Sequence, residues 1–227
     1  MIKLDNSFSR VIVYNEDYIV KEAFPTLREL ERNYPLDRIN ILTLFNSVNI
    51  DVDIILQMKN LTALHIENSK ITGNLRSINC FGELPQLVEL VVNHNKITYV
   101  KNLGSFKRLF SLNLDFNEIN KVKSSLIPPD LESISLRHNK IREVDDIYGA
   151  YWKGLVAIYL SYNYLKSFII PEPLQFLEIL DLSNNYLTHI EKLSNLRNLQ
   201  ILKLKGNPFP DNYIQNIRTK YRHIQVE

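Results

Sequence analysis

The sequence predicts an α/β solenoid: a stack of short parallel strands, one per repeat, closed at each end by a different segment. Three observations predict it. An apolar pattern recurs eight times, six of them with asparagine at a fixed place, its spacing stays near 22 residues, and the apolar period changes from two to three within the best copies. The 227 residues are 45% hydrophobic and 23% charged, with a formal net charge of +2, which is globular rather than disordered composition. Six glycines are too few for a glycine-rich phosphate cradle.

Each copy carries apolar residues at positions 1, 4, 6 and 11 and asparagine at 9. Six copies are near-perfect, from Leu87-Leu90-Val92-Asn95-Ile97 and Leu109-Leu112-Leu114-Asn117-Ile119 to Leu199-Leu202-Leu204-Asn207-Phe209. Two weaker copies precede them: Leu61-Leu64-Ile66-Ser69-Ile71, with serine for asparagine, and Ile39-Leu42-Leu44-Ser47. The fourth positions fall at 42, 64, 90, 112, 134, 158, 180 and 202. Positions 4 and 6 share one face of a strand, because side chains alternate with period two. Each strand can pair with its equivalent in the next copy, so a parallel ladder grows along the array. The following period of three, as in Ile97-Val100-Leu103-Phe106 and Leu187-Ile190-Leu193-Leu196, suits tight 3₁₀ turns on the convex side. An asparagine amide both donates and accepts, so position 9 is expected to form a ladder of backbone bonds inside the stack.

The ends differ from the repeats, as a solenoid requires. Residues 1–38 hold an extended candidate, Val11–Tyr14, and a helix candidate from Phe24-Pro25 to Asn33, with Pro25 in the first turn. Residues 39–209 hold the eight repeats. Residues 210–227 carry a helix candidate from Asp211 to Tyr221 that buries Tyr213, Ile214 and Ile217, then a short extended segment with Ile224 and Val226.

These residues resemble the leucine-rich-repeat family over about 39–209. The 22-residue period resembles the short class shared by phosphatase-regulating and bacterial internalin-like proteins. The resemblance implies a right-handed, curved solenoid with a parallel sheet on its concave face, and a binding protein without catalysis. Members outside the cell usually close their caps with cysteines. Here Cys80 is the single cysteine, and Met1–Ser7 has no apolar core after its lysine. A cytoplasmic, reducing location is therefore expected, with delivery into a host cell as the alternative.

Positions 5, 7 and 8 are expected to line the concave face or its rim. Protein-binding candidates there are Phe45, His94, Asp115, Phe116, Arg137, His138, Tyr159 and Tyr162, since aromatic residues and arginine dominate protein interfaces. Cross-strand pairing of Asp115 with Arg137 and of Asp181 with Lys203 is the structural alternative for the charges. The aromatic expansion Tyr148, Tyr151 and Trp152 is a second candidate surface.

Other chemistry is not expected. His94 and His138 lie two rungs apart with Phe116 between them, so no metal site is expected. Neither a nucleophile elbow nor a histidine positioned beside Cys80 is evident, and no cofactor or enzyme activity is expected. The concave positions hold more acids (Glu67, Glu89, Asp115, Glu132, Glu178, Asp181) than bases (Arg137, Lys203, Lys205), which argues against nucleic acid. The expected role is a monomeric adaptor or regulator that binds a protein partner on the concave face. A host-directed bacterial effector and an architectural subunit using caps and convex face are the alternatives.

Overall fold

The computed structural model describes residues 10–14, 23–24, 26–47, 50–69, 78–100, 103–123, 128, 130–145, 154–170 and 173–227. The expansion with Tyr148, Tyr151 and Trp152 lies outside the described residues.

Eight short strands fall on the eight repeats: β3 (Ile41–Phe45), β4 (Ala63–Glu67), β5 (Glu89–Val91), β6 (Ser111–Asn113), β8 (Ser133–Ser135), β10 (Ala157–Tyr159), β11 (Ile179–Asp181) and β12 (Ile201–Lys203). They pair in parallel and in register, Leu42 beside Leu64, Leu64 beside Leu90, and so on to Leu180 beside Leu202. All eight fourth-position residues have 0–2% exposure, so the register is fixed by one continuous buried row. A one-residue slip in any strand would turn that row outward.

The asparagine ladder forms as its chemistry demands. Asn139 Nδ2 donates to the Leu114 and Leu136 carbonyls at 2.9 and 3.1 Å, and its Oδ1 accepts from Ile119 N–H at 3.0 Å. Asn117, Asn163 and Asn185 repeat the arrangement. Where serine replaces asparagine, Ser69 Oγ accepts from Ser47 N–H at 3.1 Å and donates to the Glu67 carbonyl at 2.9 Å, a shorter reach with one fewer donor. On the return side, 3₁₀ turns occur at Leu103–Ser105 and Leu193–Asn195, where the three-residue period is strongest. The first return is instead a short helix, α2 (Val52–Leu56), because Ile54 and Ile55 bury adjacent positions. Two return segments, β7 (Lys121–Lys123) and β9 (Glu143–Asp145), pair in parallel as a second, two-stranded sheet.

Before the repeats, β1 (Arg10–Tyr14) pairs antiparallel with β3 and with β2 (Ala23–Phe24). The helix α1 spans Leu27–Asn33, three residues later than the sequence pattern suggested. Thr26 fixes the start: its hydroxyl accepts from Glu29 N–H at 3.2 Å, while Phe24 belongs to β2. The signal was a Thr-x-x-Glu capping sequence, which outranks a proline as an N-terminus marker.

After the repeats, α3 (Tyr213–Lys220) and β13 (Gln225–Val226) cover the last rung. Val226 pairs with Leu202, and Ile217, Ile224 and Val226 are 6–8% exposed, whereas Tyr213 and Ile214 are only partly buried. Tyr213 Oη instead accepts from Ile190 N–H at 2.7 Å, tying the helix to the previous turn. The complete sheet has eleven strands among the described residues. Cys80, in the 3₁₀ turn Ile78–Glu83, is half-buried against the core, and burial pushes its thiol pKa up.

Candidate functional site

One to three residues beyond each repeat strand, the position-8 residue turns the chain with a left-handed backbone. The φ values run 51° at Asn46, 45° at Asn68, 53° at His94, 56° at Phe116, 53° at His138, 57° at Tyr162, 53° at Asn184 and 78° at Gly206. Asparagine and glycine accept this region readily, but for a bulky ring it costs about 1–2 kcal/mol. At Gly206 a Cβ would also collide with the Asn184 side chain.

Because the rungs repeat, four of these side chains stack into a ladder. Ring centroids of His94 and Phe116 are 4.1 Å apart, Phe116 and His138 4.2 Å, and His138 and Tyr162 4.1 Å, all within 10° of parallel. Phe116 thus fills the space between the two imidazoles. The stack covers the ring faces and leaves the edges outward, with Phe116 42% and Tyr162 51% exposed. Each ring contact contributes about 0.5–1.5 kcal/mol, so three contacts do not exceed the strain of the left-handed backbones by any margin.

A second cluster lies on the concave face beside the ladder. Arg137 Nε is 3.7 Å from Asp181 Oδ2, its Nη1 is 3.9 Å from Asp115 Oδ2, and its guanidinium lies 4.1 Å from the Tyr159 ring centroid. Both carboxylates are buried and held from other directions. Asp115 Oδ1 accepts from Ser135 Oγ at 2.6 Å and Arg137 N–H at 2.7 Å, while Asp181 Oδ1 accepts from Ser183 Oγ at 2.7 Å. The pairing expected between Asp181 and Lys203 is not the main one. Lys203 Nζ is 2.8 Å from Glu227, which raises the lysine pKa, so the nearer carboxylate takes it and Arg137 bridges to Asp181.

Of the eight candidates, the fold brings seven together on neighbouring rungs: His94, Phe116, His138 and Tyr162 in the ladder, and Asp115, Arg137 and Tyr159 in the charged cluster. Phe45 stands apart at the first repeat strand, opposite Glu67, and is half-buried. Two residues that the column reading passed over are Tyr164 and Tyr186 at position 10. They are 46% and 53% exposed, and their rings lie 6.0 Å apart and 10° from parallel. With Tyr162, His138 and Lys140 they line a groove of about 600 Å³ above the asparagine ladder, reaching Gly206. The missed signal was an aromatic between two buried positions, Asn163 and Leu165, and again between Asn185 and Leu187.

Comparison with known proteins agrees with this architecture. A family model described as Leucine Rich Repeat matches residues 176–196. Human (Homo sapiens) lumican is 34% identical over 154 residues, covering 66% of this chain and 43% of that protein. A lumican sequence from Oryctolagus cuniculus is also 34% identical over 154 residues and is covered to 76% of its length. The chain therefore spans less than half of the human relative. Among solved structures, internalin C2 from Listeria monocytogenes superposes with a TM-score of 0.70 at 22% identity, over 92% of this chain and 85% of that one, which concerns the fold alone.

These relatives correct one expectation. Lumican is a secreted extracellular-matrix protein, which points away from the cytoplasmic location read from cysteine content and the first seven residues. The cysteine argument failed for a physical reason: α3 and β13 close the last rung by apolar packing and backbone pairing, so a cysteine-free end carries no information about compartment. The repeat register, the parallel sheet and the identity to lumican together place the chain in the leucine-rich-repeat family.

Proposed function

We propose that this chain is a non-catalytic recognition module that binds a protein partner along the rim and concave face of its middle rungs. Leucine-rich-repeat proteins generally mediate protein–protein interaction, and lumican and the internalins are binding or structural proteins rather than enzymes. Residues 39–209 supply eight repeats and the flanking segments, 1–38 and 210–227, act as caps on a monomer.

The observation that carries the reading is the position-8 ladder. Asparagine or glycine would relieve the left-handed backbone at Phe116 and Tyr162, yet both positions hold large rings that leave their edges exposed. Stored strain together with exposed aromatic area is a signature of a contact surface. Rigid rungs hold those rings in place before binding, so little side-chain entropy is lost on association. In this reading Phe116 and Tyr162 are the principal anchors, flanked by His94, His138 and Tyr159. Arg137 and Asp115 position Tyr159 and set the local charge.

The test is affinity capture from an extracellular-matrix extract with wild type and Phe116→Ala/Tyr162→Ala, both checked by thermal melt. A partner captured by wild type and reduced at least about tenfold with the variant is the expected result. Equal capture by both proteins refutes the rim as the site. A second reading, distinct from a partner on caps or convex face, rests on Phe110 and Phe176, 45% and 58% exposed, at the opposite ends of the strands from the rim. Capture that instead depends on those two residues would establish that second face.

A further inference from the structure

Beside the groove, Arg142, Tyr164, Lys166 and Tyr186 line an open slot of about 390 Å³. The two tyrosine rings are 6.0 Å apart at their centroids, against 4.1–4.2 Å in the ladder, so they overlap less and leave ring face uncovered. The charges around the slot are unbalanced. Glu118 is held by Lys140 at 2.8 Å and Glu143 by Lys121 at 3.0 Å. No acidic side chain among the described residues pairs with Arg142 or Lys166, and both are exposed. Two cations with no acidic partner among the described residues thus flank two open aromatic faces, and the slot shares Tyr164 and Tyr186 with the longer groove.

We infer that this slot binds an extended acidic peptide segment of the partner, with a carboxylate between Arg142 and Lys166 and a neighbouring apolar side chain against Tyr164 and Tyr186. The inference rests on the protein-recognition reading above and adds the partner's chemistry. Geometry supports an extended strand. The groove crosses four rungs from His138 to Gly206, on the order of 14 Å at ~4.8 Å per rung, which spans about four residues of extended chain. A guanidinium with an adjacent ammonium matches a carboxylate well. A long polyanion fits less well, because Glu118 and Glu143 interrupt the cationic row on the same flank. The concave face is itself acidic, so a partner segment of this kind is directed to the flank and repelled from the sheet.

The test uses fluorescence anisotropy with a fluorescein-labelled peptide of about ten residues alternating glutamate and phenylalanine, and a glutamine-for-glutamate counterpart. Wild type is expected to bind the glutamate peptide at least about tenfold more tightly than the glutamine peptide, with affinity falling as salt rises. Arg142→Gln/Lys166→Gln is expected to remove that preference, and Tyr164→Ala/Tyr186→Ala to weaken binding of both peptides. Each pair is exposed, and a thermal melt verifies folding. Equal affinity for the two peptides, no binding of the glutamate peptide, or an unchanged Arg142→Gln/Lys166→Gln variant overturns the inference. Tighter binding of a heparin hexasaccharide than of the glutamate peptide, lost in the same variant, overturns the peptide assignment. Failure here with capture still dependent on Phe116 and Tyr162 removes the slot alone; loss of that dependence removes the recognition surface itself.

Discussion

At the scale of single residues, backbone conformation rather than side-chain chemistry sets what position 8 costs. Phe116 sits at φ 56°, where an added Cβ is unfavourable and glycine is free. Phe116→Ala removes the stacking with both imidazoles and keeps the strain, whereas Phe116→Gly removes both. Phe116→Gly is therefore expected to be about 1 kcal/mol more stable than Phe116→Ala, the reverse of the usual order in a strand, and urea denaturation of the two variants measures it. The sequence carried a trace of this. Asn46, Asn68, Asn184 and Gly206 occupy the same column and are the residue types that tolerate the left-handed region, but the aromatic members conceal the rule. A pattern of apolar positions contains no φ, so the column was legible as a surface and not as a strained one.

At the scale of the element, each rung from the third onward is held by one asparagine that serves two repeats, while Ser47 and Ser69 stand at that position in the first two. Asn139→Ala leaves the Ile119 N–H without its buried acceptor and takes one of two asparagine donors from each of the Leu114 and Leu136 carbonyls, which keep Asn117 and Asn163. At about 1–3 kcal/mol for an unsatisfied buried group, the cost is expected to be about 2 kcal/mol, against a few tenths for Asn120→Ala on the exposed return. Chemical denaturation of both variants checks the contrast. The strands and the ladder were legible because both follow from a repeated side-chain pattern. The start of α1 was misplaced because one hydroxyl, Thr26, decides it, and the second sheet of β7 and β9 was not foreseen because its strands, Lys-Val-Lys and Glu-Val-Asp, each carry a single apolar residue. The charged cluster was half legible. Asp115 does face Arg137, but Asp181 is drawn to Arg137 from two rungs away, and Lys203 goes to Glu227 at the chain's end.

For the whole molecule, end closure and charge distribution matter most. Removing residues 210–227 strips cover from Leu202 and Leu204, which are now 0–1% exposed, and discards three buried apolar side chains worth on the order of 5 kcal/mol. A chain ending at Phe209 is expected to lose its cooperative melt and to associate, as read by circular dichroism and size-exclusion chromatography. The Lys203–Glu227 pair adds little to that loss, because both side chains are about 40% exposed. The lysine pKa is raised above 10.5, so its contribution is complete below that value and fades only as pH rises through the higher folded one, leaving neutral pH unaffected. Charge is segregated: an acidic concave sheet, with Arg137 enclosed by two carboxylates, and a flank where Arg142 and Lys166 have no described acidic partner. The sequence alone determined the solenoid, its parallel register, its buried rows and the asparagine ladder, because a strict repeat allows one way to superpose identical units. Tertiary structure decided which rings stack, which backbones are strained, which carboxylates take Arg137 and which cations lack an acidic partner among the described residues. Those outcomes depend on distances between rungs, and a linear pattern specifies neighbours in a column without specifying how close their side chains come.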